Sequence, residues 1–298
     1  MSTADFGTVL APVVTPFADG DVDRNALADL VEFQRAAGVE GFVPAGTTGE
    51  FASLDDAEYA TVVETTVEAA GDAPVVAGTA NPSVTGTVSR IEAAAACGAD
   101  AALVVLPYFH AANDPAGNER FLREVLDAAS LPVVLYNIPA CVGQEIAPST
   151  VEAVADHPAA VGLKDSSGDM TYFVECLRRT PGEFALYQGF DSQLVPGVGM
   201  GATGGINALA NVVPEAFAAA VDAVDAGDLA RAREIQTDYV APLFQACVAH
   251  GFAPATKTAL VARGVLDDAA VRPPLVEVDA DATSDIEACV RNAVSAFE

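Results

Sequence analysis

Short β-rich apolar runs alternate with stretches of helical periodicity along the chain, at a spacing of roughly 20 to 35 residues. The apolar runs predict strands at Thr8–Val14, Gly41–Pro44, Pro74–Gly78, Ala101–Leu106, Val133–Tyr136, Val161–Lys164, Ala185–Gly189 and Gly204–Ile206. The stretches between them predict helices at Asp23–Ala37, Asp55–Ala70 behind Ser53, Val84–Cys97, Asn118–Ala129, Pro148–Ala155, Met170–Arg179 and Pro214–Ala226. Several open on Pro, Ser, Thr or Asp and close near Gly, as capping chemistry requires. Further helices are expected over Leu229–Ala249, Ala255–Arg263 and Ser284–Ala296.

Eight strands in such an alternation predict an α/β fold, a closed (β/α)8 TIM barrel, with a helical extension at its C-terminal end. No linker interrupts the pattern, so residues 1–226 are assigned to the barrel and 227–298 to the extension. An open doubly wound sheet competes, and Gly199-Met-Gly-Ala-Thr-Gly204 matches its G-x-G-x-x-G fingerprint. That match falls late in the alternation, where a dinucleotide site does not open. These glycines are read as tight-packing positions at the seventh helix and the eighth strand.

Composition narrows the function. Forty-two acidic against 14 basic residues give a net charge of −28, which opposes nucleic acid and anionic membranes as partners and favours a small-molecule substrate. So acidic a surface resembles that of proteins from salt-loving organisms. At about 1 M salt the Debye length is only ~3 Å, so self-repulsion is screened and the melting temperature is expected to fall in dilute buffer. The five cysteines, Cys97, Cys141, Cys176, Cys247 and Cys289, are widely spaced and odd in number, as in reduced cytoplasmic proteins. With no signal-like segment at Met1–Phe6 and no membrane-length apolar run, a soluble cytoplasmic protein is expected.

The chain contains only two lysines, Lys164 and Lys257. Lys164 lies in Val161-Gly-Leu-Lys-Asp-Ser-Ser-Gly-Asp169, at the C-terminal end of an expected strand, where barrels carry their active sites. Arginine keeps its charge, whereas a buried lysine can lose a proton and attack a carbonyl. Lys164 is therefore the candidate Schiff-base nucleophile. Tyr136 ends the preceding strand, about 4.8 Å away by strand spacing, and can serve as a general acid or base. Thr47 and Thr48 stand in a glycine-flanked turn before a helix, a place suited to a carboxylate.

The motifs Gly46-Thr-Thr-Gly-Glu50, Tyr136-Asn-Ile-Pro139 with Gly143, and Gly162-Leu-Lys-Asp165 resemble those of the dihydrodipicolinate synthase/N-acetylneuraminate lyase family of pyruvate-dependent class I aldolases. The resemblance runs from about Gly7 to Arg263. It implies a pyruvate Schiff base on Lys164, proton transfer by Tyr136 and Thr47, and a pyruvate carboxylate held by the Gly46–Thr48 loop. Ile206 and Asn207 align with the segment beside bound pyruvate. No metal or organic cofactor is implied, and no residue cluster has metal spacing. Homotetramers, dimers of dimers, are usual in the family.

Two departures bear on the substrate. The family relay usually includes a tyrosine from a neighbouring subunit at the position of Phe109, in Pro107-Tyr108-Phe109-His110, so Tyr108, His110 or water would replace it. The synthases usually carry an arginine at the position of Cys141, in Pro139-Ala-Cys-Val-Gly143, and a thiol offers no bidentate cation. Tyr136-Asn-Ile-Pro-Ala140 and Gly189-Phe-Asp191 look more like 2-keto-3-deoxygluconate aldolases, with Asp191, His110 and Cys141 toward the substrate. The expected reaction is therefore reversible cleavage of a 2-keto-3-deoxy sugar acid, or its 6-phosphate, to pyruvate and an aldehyde. Alternatives are a keto-deoxy sugar-acid dehydratase, N-acetylneuraminate lyase, dihydrodipicolinate synthase, or a non-catalytic sugar-acid sensor. Lys257 and Arg263 are read as structural or interface cations.

Overall fold

The computed structural model describes residues 5–297. Its strands are β1 (Val9–Ala11), a hairpin of β2 (Phe17–Ala18) and β3 (Asp21–Val22), then β4 (Gly41–Phe42), β5 (Val76–Gly78), β6 (Ala101–Val105), β7 (Val133–Asn137), β8 (Ala160–Asp165), β9 (Ala185–Gln188) and β10 (Gly204–Ile206). All but the hairpin form one parallel sheet in which β1 lies between β4 and β10, and neighbours then run from β10 down to β5. A parallel bridge between Phe42 and Val75 closes the ring beside β5. The result is the eight-stranded (β/α)8 barrel.

Strands are shorter than the apolar runs, and prolines explain much of the difference. Pro12, Pro44 and Pro107 follow β1, β4 and β6, and Pro74 precedes β5; proline cannot donate to a ladder. The hairpin β2–β3 lay below the reach of periodicity, since each arm has two residues.

Helices follow the barrel strands at Arg24–Ala36, Asp56–Ala70, Val84–Ala96, Pro115–Ala128, Pro148–Ala155, Met170–Arg179, Leu194–Gly199 and Pro214–Asp225. Ser53 is not the cap of the second helix. It sits in a 3-10 turn, and Asp55 caps instead, in a reciprocal box with Glu58. The fourth helix opens at Pro115 rather than Asn118, because Asp114 accepts from the Ala116 N–H and proline suits a first helical turn. In the late glycine motif the last two glycines are required, for different reasons: a Cβ at Gly204 would lie 2.0 Å from the Thr8 carbonyl oxygen and Gly201 has φ 108°, whereas Gly199 faces open space.

The single helix expected over Leu229–Ala249 contains a π-helical stretch, Ile235–Val240, between Leu229–Glu234 and Ala241–His250. Gly251, at φ 89°, turns the chain into Phe252–Ala262, and the last helix is Ala280–Val294, capped by Asp279. Leu243, Leu260 and Ile286 from these helices join Val9, Phe42 and Phe217 in one apolar cluster. A second cluster, with Leu103, Leu122, Leu135, Leu163 and Phe173, fills the β6–β8 side. All five cysteines are unbonded, and no described helix is long and apolar enough to cross a membrane.

Candidate active site

Strands β7 and β8 place the two central residues. Tyr136 and Lys164 are in register across the ladder, and both are buried. The Lys164 Nζ stands 4.3 Å from the centroid of the Tyr136 ring, a cation–π distance. Room for the lysine comes from β9: a Cβ at Gly189 would fall 2.9 Å from Lys164 Cε and 2.2 Å from Ser166 Oγ. One residue further on, where side chains point to the other face, Asn137 Nδ2 donates to Asp165 Oδ1 at 2.8 Å, and the Ile146 and Ser167 N–H groups complete a lock on the strand ends. Burial pushes the Asp165 carboxyl up, against these hydrogen bonds.

Across the barrel mouth the Gly46–Glu50 turn is bounded by two non-glycine residues in the left-handed region, Ala45 at φ 52° and Glu50 at φ 55°. Such residues persist where their surroundings over-determine them. Thr15 Oγ1 donates to the Gly49 carbonyl at 2.8 Å, and Gly78 admits the Ala45 carbonyl where a Cβ would lie 2.0 Å from it. Thr47 is exposed and Thr48 buried.

Between these walls lies an inner cavity of about 180 Å³, lined by Thr47, Thr48, Tyr136, Lys164, Ser166 and Ile206 among others. Beside it is a more apolar outer cavity of about 330 Å³, bordered by Phe51, Val105, Tyr108, Val142, Pro274 and Leu275. Thr47, Ile138 and Cys141 border both, so the two are adjoining chambers. Lys164 is the only cation among their lining residues. Cys141 is exposed as a residue, and partial desolvation at the chamber border pushes its thiol up, with Lys164 opposing.

Other candidates fall differently. Ile206 lines the inner chamber, but Gly46 and Asn207 sit behind it. The Gly46 carbonyl accepts from Phe51 N, and Asn207 Nδ2 donates to the Gln188 carbonyl at 3.1 Å. Asp191 borders the inner chamber and also has a structural role. Its two oxygens already accept the N–H groups of Leu209 at 2.7 Å and Ala208 at 3.3 Å, so it anchors the segment after β10. Burial raises its carboxyl to about 6, opposed by these hydrogen bonds and by Lys164. His110 is exposed, packs edge-on against Phe109 at 5.0 Å and lines neither chamber. Phe109 itself, at φ 76°, is 92 % exposed.

Ser166, Phe190, Phe252, Pro274 and Leu275 also line the chambers. Ser166 was within reach of sequence reasoning, lying two residues after Lys164. Phe190 stands inside the Gly189-Phe-Asp191 motif but was not singled out, and Phe252, Pro274 and Leu275 come from the C-terminal region, which carries no motif. Among the described residues no cluster of three or more His, Cys, Asp or Glu could hold a metal ion.

Comparison with known proteins places this geometry. Residues 5–293 match the family model described as the dihydrodipicolinate synthetase family. The 4-hydroxy-tetrahydrodipicolinate synthase 1 of Streptomyces coelicolor is 41 % identical over 286 residues, covering 95 % of this chain and 92 % of the relative. The 4-hydroxy-tetrahydrodipicolinate synthase of Natronomonas pharaonis is 40 % identical over 238 residues, 79 % of this chain and 81 % of the relative. Among solved structures, YagE of Escherichia coli K12, a prophage protein of the dihydrodipicolinic acid synthase family in complex with pyruvate, superposes with a TM-score of 0.92 at 27 % identity, covering 98 % of this chain and 99 % of YagE.

Proposed function

The chain belongs to the dihydrodipicolinate synthetase family of pyruvate-dependent Schiff-base enzymes, and on that premise we propose that Lys164 is the amine that carries pyruvate. The observation behind this is the buried Nζ over the Tyr136 ring, in a chamber whose opposite wall is the Thr47–Thr48 turn. The neutral amine adds to the pyruvate ketone, water leaves, and an iminium forms. Loss of a methyl proton gives the enamine, whose methylene carbon attacks an aldehyde; after protonation of the new alkoxide the lysine is released either by hydrolysis, giving the open-chain keto acid, or, for an amino aldehyde, by attack of the acceptor's own amine on the iminium carbon, which closes the ring and expels the lysine as the amine. Tyr136 moves protons at the carbinolamine and the alkoxide. Thr48 and the backbone of the turn hold the carboxylate, and Thr47, on the border of both chambers, passes protons between them. Tyr108, which lines the outer chamber together with Thr47, supports a relay that does without a hydroxyl at Phe109.

For the aldehyde, the similar curated proteins favour the synthase reaction over the sugar-acid cleavage expected from the motifs alone. Their named product is a seven-carbon diacid containing nitrogen. Removing the three carbons of pyruvate leaves a four-carbon amino-acid aldehyde, aspartate semialdehyde, as the acceptor. Cys141 favours a second reading, since no cation besides Lys164 lines the chambers to receive the acceptor's carboxylate. That reading is a 2-keto-3-deoxy sugar acid cleaved in the reverse direction. The exposed Phe109 supports a subunit contact at its loop, as in a homotetramer, which light scattering would measure.

Borohydride reduction with pyruvate, read by mass spectrometry, tests the first step; the expected adduct is on Lys164. Pyruvate consumption with aspartate semialdehyde is then compared with pyruvate release from 2-keto-3-deoxygluconate, its 6-phosphate and N-acetylneuraminate. Turnover of only a sugar acid would replace the synthase reading, dehydration without pyruvate release would identify a dehydratase, and an adduct with no turnover would leave a sensor.

A further inference from the structure

Glu50 closes the carboxylate-side turn, and nothing in the reaction uses its side chain. That side chain is buried, and its Oε1 accepts from Lys257 Nζ at 2.5 Å. Lys257 comes from Phe252–Ala262, the helix whose first residue lines the inner chamber. The same amine donates to the Ala270 carbonyl at 2.7 Å and stands 4.2 Å from the Phe17 ring centroid. Glu50 Oε2 accepts from the Arg272 N–H at 3.1 Å. The Arg272 guanidinium packs on the same Phe17 ring at 4.3 Å and donates to the Ser53 and Gly20 carbonyls and to the Glu58 carboxylate. Two residues later Pro274 and Leu275 line the outer chamber.

We infer that the Glu50–Lys257–Arg272 cluster is a positioning device, by which the C-terminal helix and the strap after it hold the Thr47–Thr48 turn in its carboxylate-binding shape. The inference rests on the reading of that turn given above. A left-handed glutamate is intrinsically disfavoured, and so is the left-handed alanine at the other end of the turn. Two elements distant in sequence bond Glu50 directly and oppose relaxation, the helix through Lys257 and the strap through the Arg272 N–H, while the Ala270 carbonyl and the Phe17 ring of the hairpin hold those cations in place. Releasing Glu50 lets the turn relax, and Thr48 with its neighbouring N–H groups leaves its place opposite Lys164. Pyruvate affinity then falls more than the chemistry at Lys164.

The test uses the full chain at high ionic strength. In Glu50→Gln with Lys257→Met, a neutral pair of similar shape, KM for pyruvate should rise about tenfold, with kcat within about threefold and an intact borohydride adduct at saturating pyruvate. Arg272→Gln, which keeps the buried pair, should raise KM about threefold and serves if the double variant does not fold. Arg263→Met is the control: it breaks an ion pair to Glu215 at the end of the same helix, away from the turn, and should leave KM unchanged. Unchanged KM in the folded cluster variants, or an equal rise in Arg263→Met, overturns the inference. Absence of any wild-type adduct would instead remove the proposed function beneath it.

Discussion

The two lysines of this chain occupy the mouth of the barrel and the joint between the barrel and its C-terminal strap, and exposure does not distinguish them: Lys164 is 4 % exposed and Lys257 0 %. Their partners do. Lys257 donates to a buried carboxylate and a carbonyl, so its desolvation is offset by charge and hydrogen bonding. Burial still pushes its ammonium below the usual range, with Glu50 opposing. Lys164 faces an aromatic ring and a cavity, and among the described residues no carboxylate lies within ion-pair distance of its amine. Burial alone therefore does not make a nucleophile. An amine tied by its proton to a carboxylate is a strut, while one that lines a chamber beside an aromatic ring is accessible to a carbonyl.

Substitution at the two positions should have opposite consequences. Lys164→Arg retains the charge in a group that does not deprotonate, so the borohydride adduct and turnover should vanish while the protein stays folded. Lys257→Met should keep the adduct. An adduct on Lys257, or one that survives Lys164→Arg, would break the comparison. Tyr136→Phe sharpens it: the ring beside Lys164 is kept and only the hydroxyl goes, so kcat should fall by about 10²–10⁴-fold in steady-state assays without loss of folding.

Stability should follow the reverse order. Lys257→Ala leaves Glu50 buried and unpaired, at a cost of about 3–5 kcal/mol in urea unfolding at molar KCl. Lys164→Met removes a desolvated amine without stranding a partner, and should change stability by less than about 1 kcal/mol or raise it. Equal losses at both sites would mean that Lys164 also serves as a strut.

The mouth was more legible in the sequence than the joint. Strands, their order and the meeting of Tyr136 with Lys164 follow from apolar runs and ladder geometry, both local. The Lys257–Glu50 pair spans 207 positions, and no periodicity connects its members. Lys257 is structural, as one of its two expected readings had it, but its carboxylate partner within a recognised motif was invisible. The anchoring by Asp191 was hidden for a related reason: the backbone N–H groups that bind its carboxylate belong to a segment 17 residues on. That His110 lies outside both chambers was likewise hidden, because loop direction has no sequence period.

Asp191 supplies the one effect among these with a defined pH window. Its carboxyl titrates at about 6 in the fold against an ordinary 3.8, because burial outweighs its two backbone hydrogen bonds and Lys164. A raised acid binds its proton more tightly in the folded than in the unfolded chain, so between pH 4 and 6 the folded state carries more protons. Stability from this group is thus highest below about pH 4, falls as pH rises to about 6, and is flat above. The drop amounts to about 2–3 kcal/mol for a shift of about two units. Asp191→Asn has no such titration. Its unfolding free energy relative to wild type should therefore move in the variant's favour across pH 4 to 6, whatever fixed cost the amide incurs against the Ala208 and Leu209 N–H groups. A pH-independent difference would show that Asp191 ionises normally, and that the mouth around Lys164 is wetter than the joint at Lys257.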